Sequence, residues 1–220
     1  MPIPFQLPRF YPILDTLALA ERRDWPLTAA GGLVEAGVRI LQYRHKAEWT
    51  QARFDEAKRI ATLCHEAGVL FVLNDRADFA RLLGAALHVG QDDLPPVAAR
   101  RIISDEVMGF STHNREQLMR AEQEPVEYLS LGPIFATQSK QKPDPAVGIE
   151  GIKTLRALTQ KPLVAIGGID LLNARSVLEA GADSVAVISA LMPEGGEKKA
   201  FRTRAEEWIR LLSAPISGQA

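Results

Sequence analysis

The fold is decided by one stretch of the chain, residues 69–95, which reads VLFVLNDRADFARLLGAALHVGQDDLP. Its first five residues are apolar and rich in β-branched and aromatic side chains, which predicts a strand that is buried on both faces. A helical segment at 76–83 ends at Gly84, and a second apolar run follows at 85–89. Strand, helix and strand in so short a stretch predict a βαβ unit whose two strands are parallel.

Two acidic side chains follow these strands, Asp75 after the first and Asp93 after the second. Since parallel strands open on the same side of a sheet, we expect both carboxylates at the edge where α/β proteins bind ligands. Two carboxylates without a cation between them repel each other, and such pairs usually carry Mg²⁺, often shared with a substrate phosphate. The alternative is that each aspartate only caps the helix that follows it.

The other apolar runs extend this pattern to eight strands, with helical patterns between them and after the last. Glu-Ala-Gly triplets at 35–37, 66–68 and 179–181 end helical patterns just before a strand, where glycine supplies the left-handed cap. The predicted strands are 10–14, 38–41, 69–73, 85–89, 106–110, 126–131, 163–166 and 184–188. This alternation predicts an α/β fold, a single-domain (β/α)₈ TIM barrel over residues 1–220, with the barrel proper at about 9–213. The competing fold is a doubly wound open sheet, which usually has fewer strands and a glycine-rich turn after the first.

Composition limits the classes of function. The chain is 46% apolar and 24% charged with a formal net charge of -1, so it offers no basic field for nucleic acid or an anionic membrane. No apolar run approaches the ~20 residues of a membrane span, and the proline-rich start is too short in apolar residues for a secretory signal, so we expect a cytoplasmic protein. The one cysteine, Cys64, lies on the apolar face of a predicted helix at 51–67, where we expect a buried thiol rather than a nucleophile.

In a barrel, the side chains that follow the strands converge at one mouth. Alternation along QYRHK places Gln42, Arg44 and Lys46 on one face, and we expect His45 between them to be an exposed spacer. Further candidates at strand ends are Asn74, Asp75, Gln91, Asp93, Ser111 and His113. Arg44, Lys46 and Lys140 beside two aspartates suit a diphosphate with a metal ion.

Two further features of the mouth are visible in the sequence. Gly167 and Gly168 follow the seventh strand, where many barrels hold a phosphate on backbone N–H groups, although the pair could also only make a tight turn. The connection at 132–148 is unusually long, contains three prolines and carries Lys140 and Lys142. Such a connection is typical of a mobile lid over an active site, or of a solvated loop.

The chain resembles the thiamine-phosphate synthase family through seven motifs in the expected order, from about residue 11 to 191: QYRHK, LNDRAD, HVGQDD, STHN, LGPIFATQSK, AIGGI and GADSVAVISA. The resemblance implies a (β/α)₈ transferase that joins an aminopyrimidine diphosphate to a thiazole monophosphate and releases pyrophosphate. It implies Mg²⁺ as the cofactor and these small molecules as the partners. A homo-oligomer is compatible with the sequence, which does not define the oligomeric state.

The resemblance also implies roles for individual residues. The pyrimidine diphosphate would be held by Gln42, Arg44, Lys46, Asn74, Ser111 and Lys140, of which Arg44, Lys46, Ser111 and Lys140 are the catalytic candidates. Asp75 and Asp93 would bind Mg²⁺. The thiazole phosphate would be held by the side chains of Thr137 and Ser139 and by the backbone of Gly168, Ile188 and Ser189.

The sequence departs from the family pattern at three places. His45 stands where the family often has Glu, and Ser139 where it usually has Thr. The stretch 84–89 is one residue shorter than usual, which could shift Asp93 away from the metal.

The implied reaction needs no general base, because the attacking thiazole nitrogen has a free lone pair. Charge leaving on pyrophosphate is what the site must stabilise, and cations with Mg²⁺ do this. We therefore assign no proton transfer to His113. Two alternatives remain: a thiazole tautomerase of the same fold, which works on a thiazole phosphate without metal, and a non-catalytic barrel that binds a phosphorylated ligand. The full diphosphate set weighs against the tautomerase.

Overall fold

The eight strands form a closed parallel barrel in the computed structural model, which describes residues 6–22, 25–136 and 144–215. Each strand pairs with the next one, and the first pairs with the last. The strands are β1 Phe10–Asp15, β2 Ile40–Arg44, β3 Leu70–Asn74, β4 Ala86–Val89, β5 Met108–Thr112, β6 Tyr128–Leu131, β7 Leu163–Ile166 and β8 Ser184–Val187. The (β/α)₈ barrel is thereby confirmed, and its closure excludes the doubly wound open sheet.

Helices surround the barrel and bury one face each. They are α1 Thr16–Glu21, α2 Pro26–Glu35, α3 Gln51–Glu66, α4 Ala77–Leu83, α5 Pro96–Ile103, α6 Arg115–Ala121, α7 Gly148–Arg156, α8 Ala174–Glu179 and α9 Lys198–Ser213, with a 3₁₀ turn at Ser189–Leu191. In α3 the hydroxyl of Thr50 accepts the N–H of Arg53, and Cys64 is buried as predicted. Burial raises the pKa of the Cys64 thiol to about 12. None of the helices in the described ranges is long and apolar enough to cross a membrane.

The strands separate two apolar cores. In β1, Phe10 faces outward and stacks on Trp208 of α9 with ring centroids 5.6 Å apart. Tyr11 and Ile13, which alternate with it, belong to the second core inside the barrel. Because successive strand residues point to opposite faces, the next inward position after Ile13 is Asp15, at the carboxyl end of the strand.

The barrel interior is filled in large part by two tyrosines. The rings of Tyr11 and Tyr128 meet edge to face at 6.0 Å, and their hydroxyls are 2.8 Å apart. Gly109 of β5 makes room for this pair, since a Cβ at that position would lie 2.1 Å from the Tyr128 ring. The glycine is therefore required by packing rather than by backbone conformation.

We expect Gly109→Ala to destabilise the fold, because the new methyl group must displace a fully buried ring. The expected loss is about 1–3 kcal/mol in the free energy of unfolding, as for other overpacked cores. The measurement is urea unfolding, with Gly195→Ala as the control, because a Cβ at Gly195 meets its nearest neighbour only at 3.9 Å. Equal stabilities for the two variants would show that the interior is not packed as described.

Candidate active site

A cavity opens at the carboxyl ends of the strands and holds most of the residues predicted for the site. Those that line it are Gln42, Arg44, Asn74, Ser111, Gly168, Ile188 and Ser189. Lys46, Asp75 and Asp93 lie together at the same mouth. Three predicted site residues, Thr137, Ser139 and Lys140, lie outside the described residues, as does the central part of the predicted lid.

The two aspartates converge on one ammonium group. Lys46 Nζ lies 2.5 Å from Asp75 Oδ2 and 3.9 Å from Asp93 Oδ2. Asp75 has φ = 68°, a left-handed conformation that is uncommon for a residue other than glycine, and its N–H donates to the carbonyl of His88 at 2.8 Å. The shorter stretch at 84–89 therefore does not keep Asp93 away from Asp75.

Neither aspartate caps the helix that follows it. The helices α4 and α5 begin without any side-chain cap, and Asp93 Oδ2 instead accepts the N–H of Gly90 at 2.8 Å. The geometry thus disfavours the capping alternative for both residues. A capping aspartate does occur elsewhere at the mouth: Asp15 accepts the N–H groups of Leu17 and Ala18, both at 3.0 Å.

The acidic pair is only partly neutralised by its lysine. Burial, followed by the hydrogen bond with Asp93, raises the pKa of Asp75 to about 6, although Lys46 acts in the opposite direction. Burial also opposes ionisation of Asp93, but hydrogen bonds from Asp75 and from the Gly90 N–H, together with Lys46, bring its pKa below the usual value. Asp93 therefore ionises more easily than an ordinary aspartate, and Asp75 less easily. This is expected for two neighbouring carboxylates that lack sufficient positive charge nearby.

The donor set of this pair fits a hard cation such as Mg²⁺, which prefers carboxylate oxygens and usually completes its shell with water and substrate phosphates. Within the described ranges, no group of three or more Asp, Glu, His or Cys side chains is arranged to hold a metal ion. An ion bound by Asp75 and Asp93 therefore needs further ligands from outside this residue class.

Arg44 is held by a carboxylate that the sequence analysis did not single out. Its guanidinium Nη1 forms an ion pair with Asp15 Oδ2, and both side chains are largely buried. The same aspartate caps α1 through its other oxygen, so α1 and Arg44 are fixed together. Alternation along β1 could have indicated this role, since Tyr11 and Ile13 face inward and Asp15 is the next inward position.

The expectation that His45 is an exposed spacer is wrong. The imidazole is buried, with Nδ1 2.7 Å from the hydroxyl of Thr16 and Nε2 3.1 Å from the carbonyl of Glu48, and its ring meets Trp49 edge on. It faces outward from the barrel and reaches the start of α1, whereas its neighbours in QYRHK face the mouth. His45 therefore anchors the segment that carries Arg44 and Lys46.

A second buried histidine was missed. His88 of β4 faces the cavity, with Nε2 2.9 Å from Ser111 Oγ and Nδ1 3.1 Å from the hydroxyl of Tyr128. Ser111 Oγ in turn lies 3.2 Å from Ser130 Oγ. Burial lowers the pKa of His88 to about 4, so the ring is neutral near pH 7. The sequence does contain a sign of this position, because His88 lies between the apolar residues Leu87 and Val89, and alternation along the strand then turns His88 inward.

His113 links the end of β5 to the connection after β6. Its Nδ1 lies 2.5 Å from the carbonyl of Gly132 and 3.6 Å from Asp144 Oδ2. These contacts give the histidine a role in holding that connection at the rim.

The glycine pair after β7 is required by packing. Gly167 and Gly168 have φ of 100° and 65°, and a Cβ on either would lie 2.6–2.7 Å from Pro133 or Phe135. The two glycines form a tight turn after β7, and the absence of side chains on them lets the connection after β6 pack closely against this turn. The neighbouring 3₁₀ turn at Ser189–Leu191 begins at the same rim, and the first N–H groups of such a turn have no acceptor within it.

The closed barrel, with a cavity and charged side chains at the carboxyl ends of its strands, defines a class of protein, the (β/α)₈ barrel enzymes. The sequence model of the family described as "Thiamine monophosphate synthase" matches residues 10–191. The chain belongs to this family.

Individual relatives agree with this assignment. A thiamine-phosphate synthase of Koribacter versatilis is 44% identical over 211 residues, which span 94% of this chain and 97% of that protein. A thiamine-phosphate synthase of Chloroflexus aurantiacus is 38% identical over 185 residues, 84% of this chain and 85% of that protein. Among solved structures, a thiamine phosphate pyrophosphorylase from Pyrococcus furiosus superposes with a TM-score of 0.80 at 30% identity, covering 93% of this chain and 95% of that one.

We expect His88 to make the fold sensitive to mild acid. Burial holds its pKa at about 4 in the folded state, against 6.5 for an exposed histidine, so the unfolded chain binds the additional proton as the pH falls through this window. The free energy of unfolding should therefore decrease by about 2 kcal/mol from pH 7 to pH 5 through this group.

Urea unfolding at the two pH values tests this expectation. His88→Gln should show a smaller loss between pH 7 and pH 5 than the wild type, whatever its stability at pH 7. The exposed His65 supplies the control, since His65→Gln should keep the full loss. The same pH dependence in all three proteins would contradict the assignment.

Proposed function

We propose that the chain is a transferase that joins 4-amino-2-methyl-5-hydroxymethylpyrimidine diphosphate to hydroxyethylthiazole phosphate, giving thiamine phosphate and pyrophosphate. The observation that carries the proposal is the acidic pair bridged by Lys46, with Arg44 at the same mouth, in a member of the thiamine monophosphate synthase family. This arrangement suits a diphosphate that brings its own negative charge and a divalent cation to the site.

The pyrimidine diphosphate is proposed to bind along the β2, β3 and β5 side of the mouth. Its ligands are proposed to be Gln42, Arg44, Lys46, Asn74, Ser111 and Lys140. Asn74 offers a specific argument, because its amide Nδ2 is buried and has no hydrogen-bond partner within the described residues. Buried donors are rarely left unpaired in folded proteins, so this N–H group is available to a ligand.

Mg²⁺ is proposed to be held by the carboxylates of Asp75 and Asp93. When bound there it would supply positive charge for the leaving pyrophosphate. The incomplete neutralisation of the acidic pair by Lys46 supports this role, since a divalent ion allows both carboxylates to ionise. Lys46 is then free to turn to the diphosphate, which it can do because its side chain is 39% exposed.

The protein's part in the reaction is to bind, orient and stabilise charge. The bond between the pyrimidine CH₂ and the diphosphate oxygen breaks, its electron pair leaves with pyrophosphate, and the thiazole nitrogen forms the new C–N bond. Arg44, fixed by Asp15, and Lys46 stabilise the negative charge that develops on the leaving group. No side chain has to remove a proton from the nitrogen, so neither His88 nor His113 is given an acid–base role.

The thiazole phosphate is proposed to bind on the β7 and β8 side. Gly168, Ile188 and Ser189 line the cavity. Their backbone N–H groups are proposed to bind the anion, because the 3₁₀ turn begins there. Thr137 and Ser139 are proposed to add their hydroxyls to the thiazole phosphate. Lys140, from the same connection, is proposed to meet the pyrimidine diphosphate.

One assay separates this proposal from its alternatives. With both substrates and Mg²⁺, we expect thiamine phosphate and pyrophosphate in equal amounts, the first measured by chromatography and the second by a coupled inorganic pyrophosphatase. A tautomerase would isomerise a thiazole phosphate without pyrimidine or metal, and a binding barrel would retain ligand without turnover. Either result would overturn the proposal.

We expect Asp75→Asn and Asp93→Asn each to lower turnover by roughly 10²-fold at limiting Mg²⁺, because each removes a charged oxygen from the ion. Both variants should also lose the rise in melting temperature that Mg²⁺ gives the wild type. Asp55→Asn is the control, since Asp55 is an exposed residue of α3 and does not line the cavity. An aspartate whose replacement leaves both readouts unchanged is not a ligand.

Arg44→Gln should separate the two substrate sites. The variant keeps a hydrogen-bond donor for Asp15 but loses the charge that meets the diphosphate, so pyrophosphate affinity should fall by about 2 kcal/mol. Affinity for thiazole phosphate should stay within about twofold, because its proposed ligands lie across the mouth. Calorimetric titration measures both, with Arg53→Gln as a control that removes the same charge from α3. Equal losses for both ligands would contradict the two-site arrangement.

A further inference from the structure

A chain of hydrogen bonds crosses the barrel beneath the cavity. It connects Gln42 and Ser111, two residues that are proposed to bind the pyrimidine substrate. Gln42 Nε2 donates to the hydroxyl of Tyr11 at 2.9 Å, and that hydroxyl is 2.8 Å from the hydroxyl of Tyr128. The Tyr128 hydroxyl lies 3.1 Å from His88 Nδ1, and His88 Nε2 lies 2.9 Å from Ser111 Oγ. The two tyrosines, the histidine and the glutamine are all buried.

The directions follow from the first hydrogen bond together with burial, since a buried hydroxyl rarely keeps its proton unpaired. Tyr11 already accepts from Gln42, and its remaining contact in the chain is Tyr128, so Tyr11 donates its own proton to Tyr128. Tyr128 then donates to His88 Nδ1, which must be unprotonated to accept. A neutral imidazole with an unprotonated Nδ1 carries its proton on Nε2, so His88 donates to Ser111 Oγ. The chain therefore has one polarity from end to end.

This polarity determines what each end offers to a ligand. The nitrogen of the Gln42 amide is turned to Tyr11, so its carbonyl oxygen Oε1 is turned away from Tyr11, and Gln42 lines the cavity. At the other end, Ser111 receives a proton from His88 and has its own proton to give. It gives that proton to the cavity or to Ser130, 3.2 Å away, which also lines the cavity. One end therefore accepts and the other donates.

We propose that Tyr11, Tyr128 and His88 are specificity-determining positioning residues, which fix Gln42 as an acceptor and the Ser111–Ser130 pair as a donor toward the heteroaromatic ring of the substrate. A 4-aminopyrimidine has the complementary edge, an amino group that donates and a ring nitrogen that accepts. The 4-oxo analogue has the reverse pattern in its lactam form, with a carbonyl that accepts and a ring N–H that donates. The inference rests on the proposed function, whose pyrimidine substrate it concerns.

Tyr128→Phe is the most informative variant, because it removes one hydroxyl from the middle of the chain and keeps the ring that packs on Tyr11 and on His88. Without the Tyr128 hydroxyl, Tyr11 loses its acceptor and can instead donate to Gln42 once the amide turns over. His88 Nδ1 loses its donor, so the ring is released to take the other tautomer. Both ends of the chain can then reverse.

The kinetic test compares the amino substrate with the 4-oxo analogue as diphosphates, each with thiazole phosphate and Mg²⁺. The wild type should prefer the amino substrate strongly, and Tyr128→Phe should lower the ratio of the two kcat/KM values by roughly tenfold, as expected for one hydrogen bond in the site. The KM for thiazole phosphate should not change. Tyr43→Phe is the matched control, since this buried tyrosine bonds Glu56 outside the barrel, and it should keep the wild-type ratio.

An unchanged ratio in a folded Tyr128→Phe would overturn the inference while leaving the proposed function standing. A wild type without activity on the amino substrate would instead overturn the proposed function. A second measurement needs no activity: the ¹⁵N chemical shifts of His88 report its tautomer in the wild type. We expect protonated Nε2 and unprotonated Nδ1, and the opposite tautomer would overturn the inference even if Tyr128→Phe does not fold.

Discussion

Closure of eight parallel strands forces all their carboxyl ends to one rim, and the chain depends on this constraint for its chemistry. The interior must be filled before the barrel can close, and Tyr11 and Tyr128 do so across the space that Gly109 leaves open. Their hydroxyls then need partners, because a buried polar group without one is costly. The two tyrosines that fill the barrel therefore also orient the side chains above them, Gln42 and His88.

At the rim, single charged side chains also make two contacts each. Asp15 holds Arg44 and caps α1 with its second oxygen, while Lys46 bridges Asp75 and Asp93. The first contact is buried and fixes an arginine in place. The second is more exposed and leaves the acidic pair short of positive charge, which the proposed divalent ion would supply. A fixed cation beside an adaptable one suits the proposed binding of a diphosphate and release of pyrophosphate.

The residues at the rim could be predicted from the sequence, because the carboxyl ends of all strands in a parallel barrel lie on the same side. Asp75 and Asp93 were expected together on that argument, and they share Lys46 in the structure. The contacts beneath and behind the rim could not be predicted in the same way. Tyr11 and Tyr128 are 117 residues apart, and His45 reaches Thr16 across 29 residues, so their pairing depends on the register of different strands. Periodicity shows which face a residue is on, but not which residue it meets there.

The most direct test of this account is to locate a divalent cation at the mouth. Mn²⁺ can replace Mg²⁺ at sites of oxygen ligands and is visible by its anomalous scattering in crystals grown with Mn²⁺ and pyrophosphate. The account predicts a peak bonded to carboxylate oxygens of both Asp75 and Asp93, with Lys46 turned to the pyrophosphate. Pyrophosphate bound at the mouth without any Mn²⁺ on these two aspartates would contradict it.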